Sequence, residues 1–356
     1  MSEPLHDDFD EPRRETFLAR YPRNVKMLAT VMALALVILP PAWIHGHLHK
    51  RAATRTVDAA AEMDMSKLLG LGGEKIETDI AAPSLNDQDD PNIKLVPAPD
   101  SRVTEDTAEG SLPRISESGV SPWQVYARPF NSSDKRPRIA IVVTDLGMSR
   151  TITDQTIAQL PATITLAFNA QGAVVSAWGQ RARQDGHEIL LQVPMEPFDY
   201  PRSDPGPNTL LTNLPNSDNI ERLLRILRKA TGYVGVTSVS GSRFTTDTNK
   251  LLPVLAALHD RGLMVLDARA APHSVVTDMA HNAGVPVVTV TQRLDGDLSP
   301  DAIAAALNDL EKTARQNGRA VGITAATPVM IAQLQAWAKN LPQHGIALAP
   351  VTAMFQ

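Results

Sequence analysis

The chain has 356 residues and a formal net charge of −5, and this slight acidity argues against a nucleic-acid-binding protein, which normally presents a basic face. It contains no cysteine, which excludes disulfide bonds, thiolate metal sites and cysteine nucleophiles. Aromatic residues make up 4% of the chain, few for a sugar-binding cleft lined with stacking rings, so we expect modest affinity for a glycan. The length allows one large domain together with additional segments.

The first predicted element is an uncharged apolar stretch at residues 27–44. Its length of about 18 residues is near the lower limit for a helix that spans a bilayer. Basic residues precede it, and the positive-inside rule then places residues 1–26 in the cytoplasm. We therefore expect a single-pass anchor in an inner membrane, with the C-terminal domain in the periplasm. A cleaved signal peptide and a buried core helix are the alternatives, and the long segment before the apolar stretch favours the anchor over a signal peptide.

Residues 45–135 are predicted to be a flexible, low-complexity linker. This segment is rich in Asp, Glu, Ser, Pro and Ala and has few large apolar residues. Such a composition buries too little apolar surface to offset the conformational entropy that is lost on folding. Within it, residues 123–130 carry several aromatic side chains and could form a strap that docks on the domain that follows.

From Arg138 onward, short apolar runs alternate with amphipathic segments, and we assign residues 136–356 to one domain. The predicted strands cover residues 139–143, 164–168, 189–193, 234–236, 263–266, 285–290, 320–323 and 346–349. The predicted helices include residues 174–184, 219–230, 249–261, 274–282, 301–316 and 329–340. Short β-branched runs bounded by Gly and Pro are typical of buried parallel strands, and their alternation with helices indicates βα units. The fold class is therefore α/β, either a closed or nearly closed β/α barrel or a doubly wound open sheet.

In both architectures, ligands bind at the carboxyl ends of the strands. Polar side chains follow several of the predicted strands, and each alone could equally be a turn residue or a loop cap. The candidate catalytic residues are Asp145, Glu196 and Asp267, and the candidate substrate-binding residues are Gln192, Ser242, Arg243, His273 and Asp295.

Several motifs occur in a fixed order along residues 138–351. They are Thr144-Asp145-Leu146-Gly147, Gly186-His187-Glu188, Pro194-Met195-Glu196-Pro197, Asp204-Pro205-Gly206-Pro207, Gly241-Ser242-Arg243-Phe244-Thr245 and Leu266-Asp267. In these motifs the domain resembles the divergent polysaccharide deacetylase family, a distant branch of the NodB-like carbohydrate esterases. The resemblance implies a distorted β/α barrel and metal-assisted hydrolysis of an acetyl group from a sugar.

In the family, one carboxylate and two histidines hold a divalent metal, and a neighbouring carboxylate acts as general base. This sequence departs from that pattern. Thr144 occupies the position of the first of two consecutive aspartates, and Val239 and Ala325 occupy the positions of the two histidines. None of these side chains can replace the lost group. Asp145 remains as a single carboxylate that could contact zinc or another divalent metal if the site is active. His273 is the histidine that follows a strand end and could substitute as a ligand.

Two classes of function follow. We expect a membrane-anchored polysaccharide deacetylase-like protein of envelope carbohydrate metabolism in which the classical metal-dependent deacetylation is lost. One alternative is an active hydrolase that removes acetyl groups from an envelope glycan through a rearranged or metal-free site. The other is a non-catalytic module that binds a glycan or an envelope protein. The partners implied are acetylated envelope polysaccharide or peptidoglycan, and the membrane through residues 27–44.

Overall fold

A computed structural model of the protein describes residues 93–355. Three predicted segments lie outside the described residues: the cytoplasmic tail at residues 1–26, the anchor at 27–44 and the linker as far as residue 92. Among residues 93–355, no helix combines the length and apolar character needed to cross a membrane.

The core of the domain is a nine-stranded parallel sheet. Its strands are β3 (Arg138–Leu146), β4 (Thr165–Asn169), β5 (Ile189–Met195), β6 (Gly235–Ser240), β7 (Met264–Asp267), β8 (Val287–Thr289), β9 (Gln292–Arg293), β10 (Arg319–Ala325) and β11 (Ala347–Leu348). They pair in the order β8-β7-β6-β5-β4-β3-β10-β9, while β11 pairs with β3. Every predicted strand is present, and the two-residue β9 is an addition. The predicted α/β class with a parallel sheet is confirmed.

The sheet curls until its two end strands come together. β8 pairs with β7 and β9 pairs with β10, yet only two residues separate β8 from β9 along the chain. In a flat sheet of this order the two ends would lie about 34 Å apart, whereas the connection can span only about 11 Å. Thr291, within this connection, donates its N–H to the carbonyl of Val321 in β10 at 2.8 Å. These pairings match a distorted barrel and exclude a flat open sheet.

Both faces of the sheet are buried, and they belong to two different apolar clusters. In β3, Ile139, Ile141 and Val143 pack in the outer cluster between the sheet and the helices. The alternate residues Ala140 and Val142 pack in the inner cluster, inside the curl. This two-sided burial explains why the strands appear in the sequence as continuous apolar runs.

Helices cover the outer face of the sheet. The helices that follow the strands are α2 (Arg150–Gln159), α3 (Val175–Gln184), α4 (Asn216–Leu227), α5 (Thr248–Asp260), α6 (Val276–Asn282), α7 (Pro300–Asn317) and α8 (Pro328–Asn340). All helices predicted from residue 138 onward are present, whereas α2 was not predicted because its sequence is largely polar. Ser149 caps α2 by accepting a hydrogen bond from the N–H of Ile152, which is a typical start signal for a helix.

The described part of the predicted linker, residues 93–135, is folded and packs on the domain. It contains the hairpin strands β1 (Thr104–Thr107) and β2 (Gly110–Pro113) and the short helix α1 (Pro122–Tyr126). Val103, Leu112 and Tyr126 are buried there. The prediction of a flexible linker does not hold for these residues, because a few apolar side chains at scattered positions reach the domain core. The strap expected at residues 123–130 lies against the inner cluster.

Two buried charged side chains at the amino end of the sheet hold this strap, and we call them the clasp: Arg183 and Glu188. Arg183 donates to the carbonyls of Tyr126 at 2.9 Å and Val96 at 2.7 Å. Glu188 accepts the N–H of Arg128 at 3.1 Å and the hydroxyl of Thr352 in the C-terminal segment. The clasp therefore joins the strap, the sheet and the C-terminal segment at the end of the domain opposite the predicted site.

Candidate functional site

Asp145 is the exposed carboxylate at the carboxyl end of β3. The pairing of β3 with β4 is interrupted between Val143 and Leu146, and Asp145 adopts a left-handed backbone conformation with a φ of 62°. That conformation is uncommon for a residue with a side chain and clusters at functional sites. The irregularity lets Leu146 return to the core while Asp145 stays exposed.

Gln192, in β5, holds Asp145 in this position. Its Oε1 accepts the main-chain N–H of Asp145 at 2.7 Å, and its Nε2 donates to Oδ1 of Asp145 at 3.2 Å. The hydroxyl oxygen of Thr144 lies 3.3 Å from the other carboxylate oxygen. Because Gln192 is buried and engaged at both ends of its amide, it acts as a support for Asp145, although we predicted that it binds substrate.

Glu196 follows β5 and is buried, so its carboxylate is directed at protein groups. Its Oε2 accepts the N–H of Thr212 at 2.5 Å and the hydroxyl of the same residue at 2.7 Å. Its Oε1 lies 3.5 Å from Nε of Arg243. The main-chain carbonyl of Glu196 accepts the N–H groups of Arg243 and Phe244. Glu196 therefore joins the loops that follow β5 and β6, and an ion pair holds the exposed Arg243 beside it.

Ser242 and Arg243 in the β6 loop both contact Phe198 in the β5 loop. The hydroxyl oxygen of Ser242 accepts the N–H of Phe198 at 3.0 Å, and Nη2 of Arg243 donates to the carbonyl of Phe198 at 3.0 Å. Phe198 is 56% exposed. We did not predict Phe198, although its position directly after Pro194-Met195-Glu196-Pro197 in a chain with few aromatics is a signal that could have identified it.

Asp267 lies at the end of β7 but is turned inward and caps its own loop. Its carboxylate accepts the N–H of Arg269 at 2.9 Å, the hydroxyl of Ser274 at 3.2 Å and the hydroxyl of Thr277 at 2.8 Å. These contacts and its burial assign Asp267 to loop structure, which is the alternative role considered for each strand-end carboxylate. His273, on the same loop, is exposed.

Asp295 also has a structural role, at the place where β9 pairs with β10. It pairs with Arg293 at 3.0 Å and accepts the N–H of Ala325, at the end of β10, at 2.7 Å. These contacts help to hold the β8–β9 segment against β10, where the sheet closes. Among the described residues, the predicted site thus divides into the pair Asp145–Gln192 and the group around Glu196, and no hydrogen bond or ion pair joins the two.

The donor set at the carboxyl end does not fit the metal centre that the resemblance implies. Thr144 gives its hydroxyl to the carbonyl of Thr324 at 3.2 Å, and Val239 and Ala325 have no side-chain donor atom. Within residues 93–355, no group of three or more His, Asp or Glu side chains is arranged to hold a metal ion. His187 lies at the amino end, where its ring nitrogens contact the carbonyls of Ile164 and Ile157 and burial lowers its pKa.

The chain matches the family described as divergent polysaccharide deacetylase over residues 141–355, more than half of its length. It is 28% identical over 206 residues to the uncharacterized protein YibQ of Escherichia coli K12, covering 58% of this chain and 63% of that protein. The chain thus spans slightly less than two thirds of that relative. It is 28% identical over 232 residues to an uncharacterized protein of Haemophilus influenzae, covering 64% of this chain and 81% of the relative.

Among solved structures, an uncharacterized protein from Agrobacterium tumefaciens C58 is 39% identical and has a TM-score of 0.67. The similarity covers 69% of this chain and 99% of that structure. The fold described above is therefore shared with a protein whose structure has been solved.

Proposed function

We propose that this chain, which belongs to the divergent polysaccharide deacetylase family, binds acetylated envelope polysaccharide at the carboxyl end of its sheet. It does so without the metal-dependent deacetylation of the wider superfamily. The observation that carries this proposal is the way the strand-end carboxylates are used. Glu196 and Asp267 are buried and accept hydrogen bonds from protein donors, Asp295 is half-buried, and Asp145 is the one of these four predicted carboxylates that is exposed.

The absence of metal-dependent deacetylation in this proposal rests on the chemistry of the side chains. A zinc centre for hydrolysis needs three protein ligands and an open position for water. Asp145 can supply one oxygen ligand, but Val239 and Ala325 cannot supply the two nitrogens that the family pattern requires. The same arrangement suits binding, because Asp145 is held rigidly by Gln192 and Arg243 is held beside Glu196.

The location belongs to the same proposal. Residues 27–44 would anchor the protein in the inner membrane, with the N-terminus in the cytoplasm and the domain in the periplasm. The support is the uncharged apolar stretch and the basic residues before it. This placement would keep the domain next to peptidoglycan or another acetylated envelope polysaccharide.

Calorimetric titration of the full chain tests this function. The ligands are zinc and an oligosaccharide of N-acetylglucosamine, and the proteins are the wild type, Asp145→Asn and the control Asp309→Asn, which changes an exposed aspartate on α7. We expect saccharide binding in the wild type and the control, weaker binding in Asp145→Asn, and no stoichiometric zinc binding. Stoichiometric zinc binding that Asp145→Asn abolishes, together with release of acetate, would instead establish the hydrolase. Absence of saccharide binding would contradict the proposal.

A further inference from the structure

A cavity of about 300 Å³ opens at the amino end of the sheet, the end opposite the candidate site. It lies between the strap, the turn before β4 and the segment that joins α8 to β11. Its volume is at the lower end of the range for cavities that bind ligands. We call it the amino-end cavity and define it by six of its lining residues: Arg128, Arg136, Ala162, Lys339, Leu341 and Ile346.

The amino-end cavity is basic and partly apolar. Among the described residues, three basic side chains line it, those of Arg128, Arg136 and Lys339, and no acidic side chain does. Asp134 balances the charge of Arg136 at 2.7 Å, whereas Lys339 is exposed and forms no ion pair within residues 93–355. This lining suits an acidic ligand with an apolar group, because the positive potential attracts carboxylates and covering the apolar surface is favourable.

The cavity lies outside the cleft that the family pattern describes. Arg128 and Arg136 precede residue 141, where the match to the family begins. The remaining lining residues come before β4 or between α8 and the end of β11, whereas the family motifs follow the carboxyl ends of strands. The occupant of this cavity is therefore a separate question from the ligand of the candidate site.

The described part of the chain begins beside this cavity, at Ile93. A Cβ placed on Gly186 would lie 2.8 Å from Nη1 of Arg128, 3.1 Å from Cβ of Ala162 and 3.7 Å from the carbonyl oxygen of Ile93. Ile93 thus meets two lining residues of the cavity at Gly186. Whatever directly precedes Ile93 in the sequence starts next to the cavity.

The residues before Ile93 have the chemistry that the cavity suits. Leu85 is followed by three aspartates, Asp87, Asp89 and Asp90, with no basic residue among residues 85–91. An extended chain places Asp90 up to about 10 Å and Leu85 up to about 26 Å from Ile93, so both can reach the cavity. A short connection on the same chain also gives this segment a local concentration of about millimolar, which favours it over a separate acidic protein.

We infer that residues 85–91 dock in the amino-end cavity of their own chain. Leu85 would cover the apolar side chains of Leu341 and Ile346, and the aspartates would face Lys339 and Arg136. Docking here would hold the incoming chain at the amino end of the sheet. The candidate site would then face away from the side on which the N-terminal segments enter. This inference holds whatever the candidate site binds.

A distance measurement in the full chain by double electron–electron resonance tests the docking. The chain contains no cysteine, so Ser84→Cys and Asn340→Cys provide two unique attachment points for spin labels, and neither residue is a proposed contact. We expect one narrow distance between the two labels. Leu85→Ser should broaden the distribution, because it removes the apolar contact.

Charge substitutions in the labelled chain test why the segment selects this cavity. Asp87→Asn, Asp89→Asn and Asp90→Asn together should broaden the distribution toward the span of a nine-residue coil, about 15–18 Å. The matched control is Glu74→Gln, Glu77→Gln and Asp79→Asn, which changes the net charge equally just upstream and should leave the distance narrow.

Three outcomes would overturn the inference. A wide distribution without any charge substitution would show that the segment does not dock, and would leave the cavity to a separate acidic partner. A narrow distance that survives the triple aspartate substitution would show that the carboxylates do not select the cavity. Equal broadening by the control would assign the effect to net charge instead of this segment. Equal thermal midpoints of the two triple variants would show that broadening does not come from unfolding.

Discussion

Replacing Glu188 by glutamine should destabilise the domain although the two side chains have almost the same shape. Glu188 is fully buried, and each of its carboxylate oxygens accepts one main-chain N–H: that of Arg128 at 3.1 Å and that of Thr352 at 3.2 Å. Hydroxyl groups of Thr352 and Thr165 complete the set. Both oxygens of a carboxyl group can accept hydrogen bonds, and they keep acceptor capacity when the group is protonated. A glutamine amide has one oxygen, so in either orientation its NH₂ group faces a main-chain N–H that then lacks an acceptor.

The size of the effect follows from this mismatch. A buried donor without a partner costs about 1–3 kcal/mol, and we expect the free energy of unfolding of Glu188→Gln to fall by about 2 kcal/mol near pH 5. For a domain of this size, this change corresponds to a decrease in Tm of roughly 5 °C. Glu221→Gln is the matched control, because Glu221 on α4 is exposed and its ion pair with Arg225 contributes little.

The difference in stability between the wild type and Glu188→Gln should also change with pH in a defined direction. Burial raises the pKa of Glu188, and the hydrogen bonds from Thr352 and Arg128 oppose that shift only in part. A carboxyl group whose pKa is raised in the folded state contributes stability below its unfolded pKa of about 4.3 and loses it as the pH rises through the folded value. Glutamine does not titrate, so the difference between the wild type and Glu188→Gln should shrink from pH 5 to pH 8.

Urea unfolding followed by circular dichroism at pH 5 and pH 8 measures both quantities. A loss of less than 0.5 kcal/mol at pH 5, of the order seen for exposed substitutions, would refute the donor mismatch. A difference that widens as the pH rises would show that the hydrogen bonds outweigh burial and lower the pKa of Glu188. In that case the clasp holds a stable carboxylate, and the sign of the reasoning is wrong.

Three further predictions concern the site and the strap. Asp145→Gly should lower the free energy of unfolding by about 1 kcal/mol, because the buried Nε2 of Gln192 loses its acceptor and this loss exceeds the relief of the left-handed backbone, while saccharide affinity falls; unchanged or higher stability in urea would contradict this. Arg183→Met leaves three main-chain carbonyls without their buried donor and should cost about 3 kcal/mol, with faster proteolysis within residues 93–127 than in the wild type. Deletion of residues 1–135 should abolish cooperative thermal unfolding, because the inner cluster loses its cover; deletion of residues 1–92 is the control and should leave a cooperative transition.

Much of the fold was predictable because its signals are local. The strands are apolar runs buried on both faces, and turn residues mark their ends, so their positions and their parallel arrangement follow from the sequence alone. α2 was missed because its sequence is mostly polar and its start depends on a single serine cap. β9 was missed because two residues carry no periodic pattern.

The strap shows where composition misleads. Residues 45–135 have the average composition of a disordered segment, yet Val103 and Tyr126 are buried in the described part of it. Tyr126 and the nearby Arg128 bond to partners far along the chain, Arg183 and Glu188, which no local pattern connects to them. An average over about 90 residues therefore missed a folded segment that depends on a few specific contacts.

The sequence by itself determined the order of the elements, the family and the end of the sheet where ligands should bind, because these depend on local patterns and motifs. The tertiary structure decided which polar side chains at that end are available. Asp267, Asp295 and Glu196 follow predicted strands as Asp145 does, but in the folded chain these three are buried or half-buried against protein donors. Their hydrogen bonds bring together separate loops, and only the folded chain fixes those distances, so only the structure shows which carboxylate remains exposed.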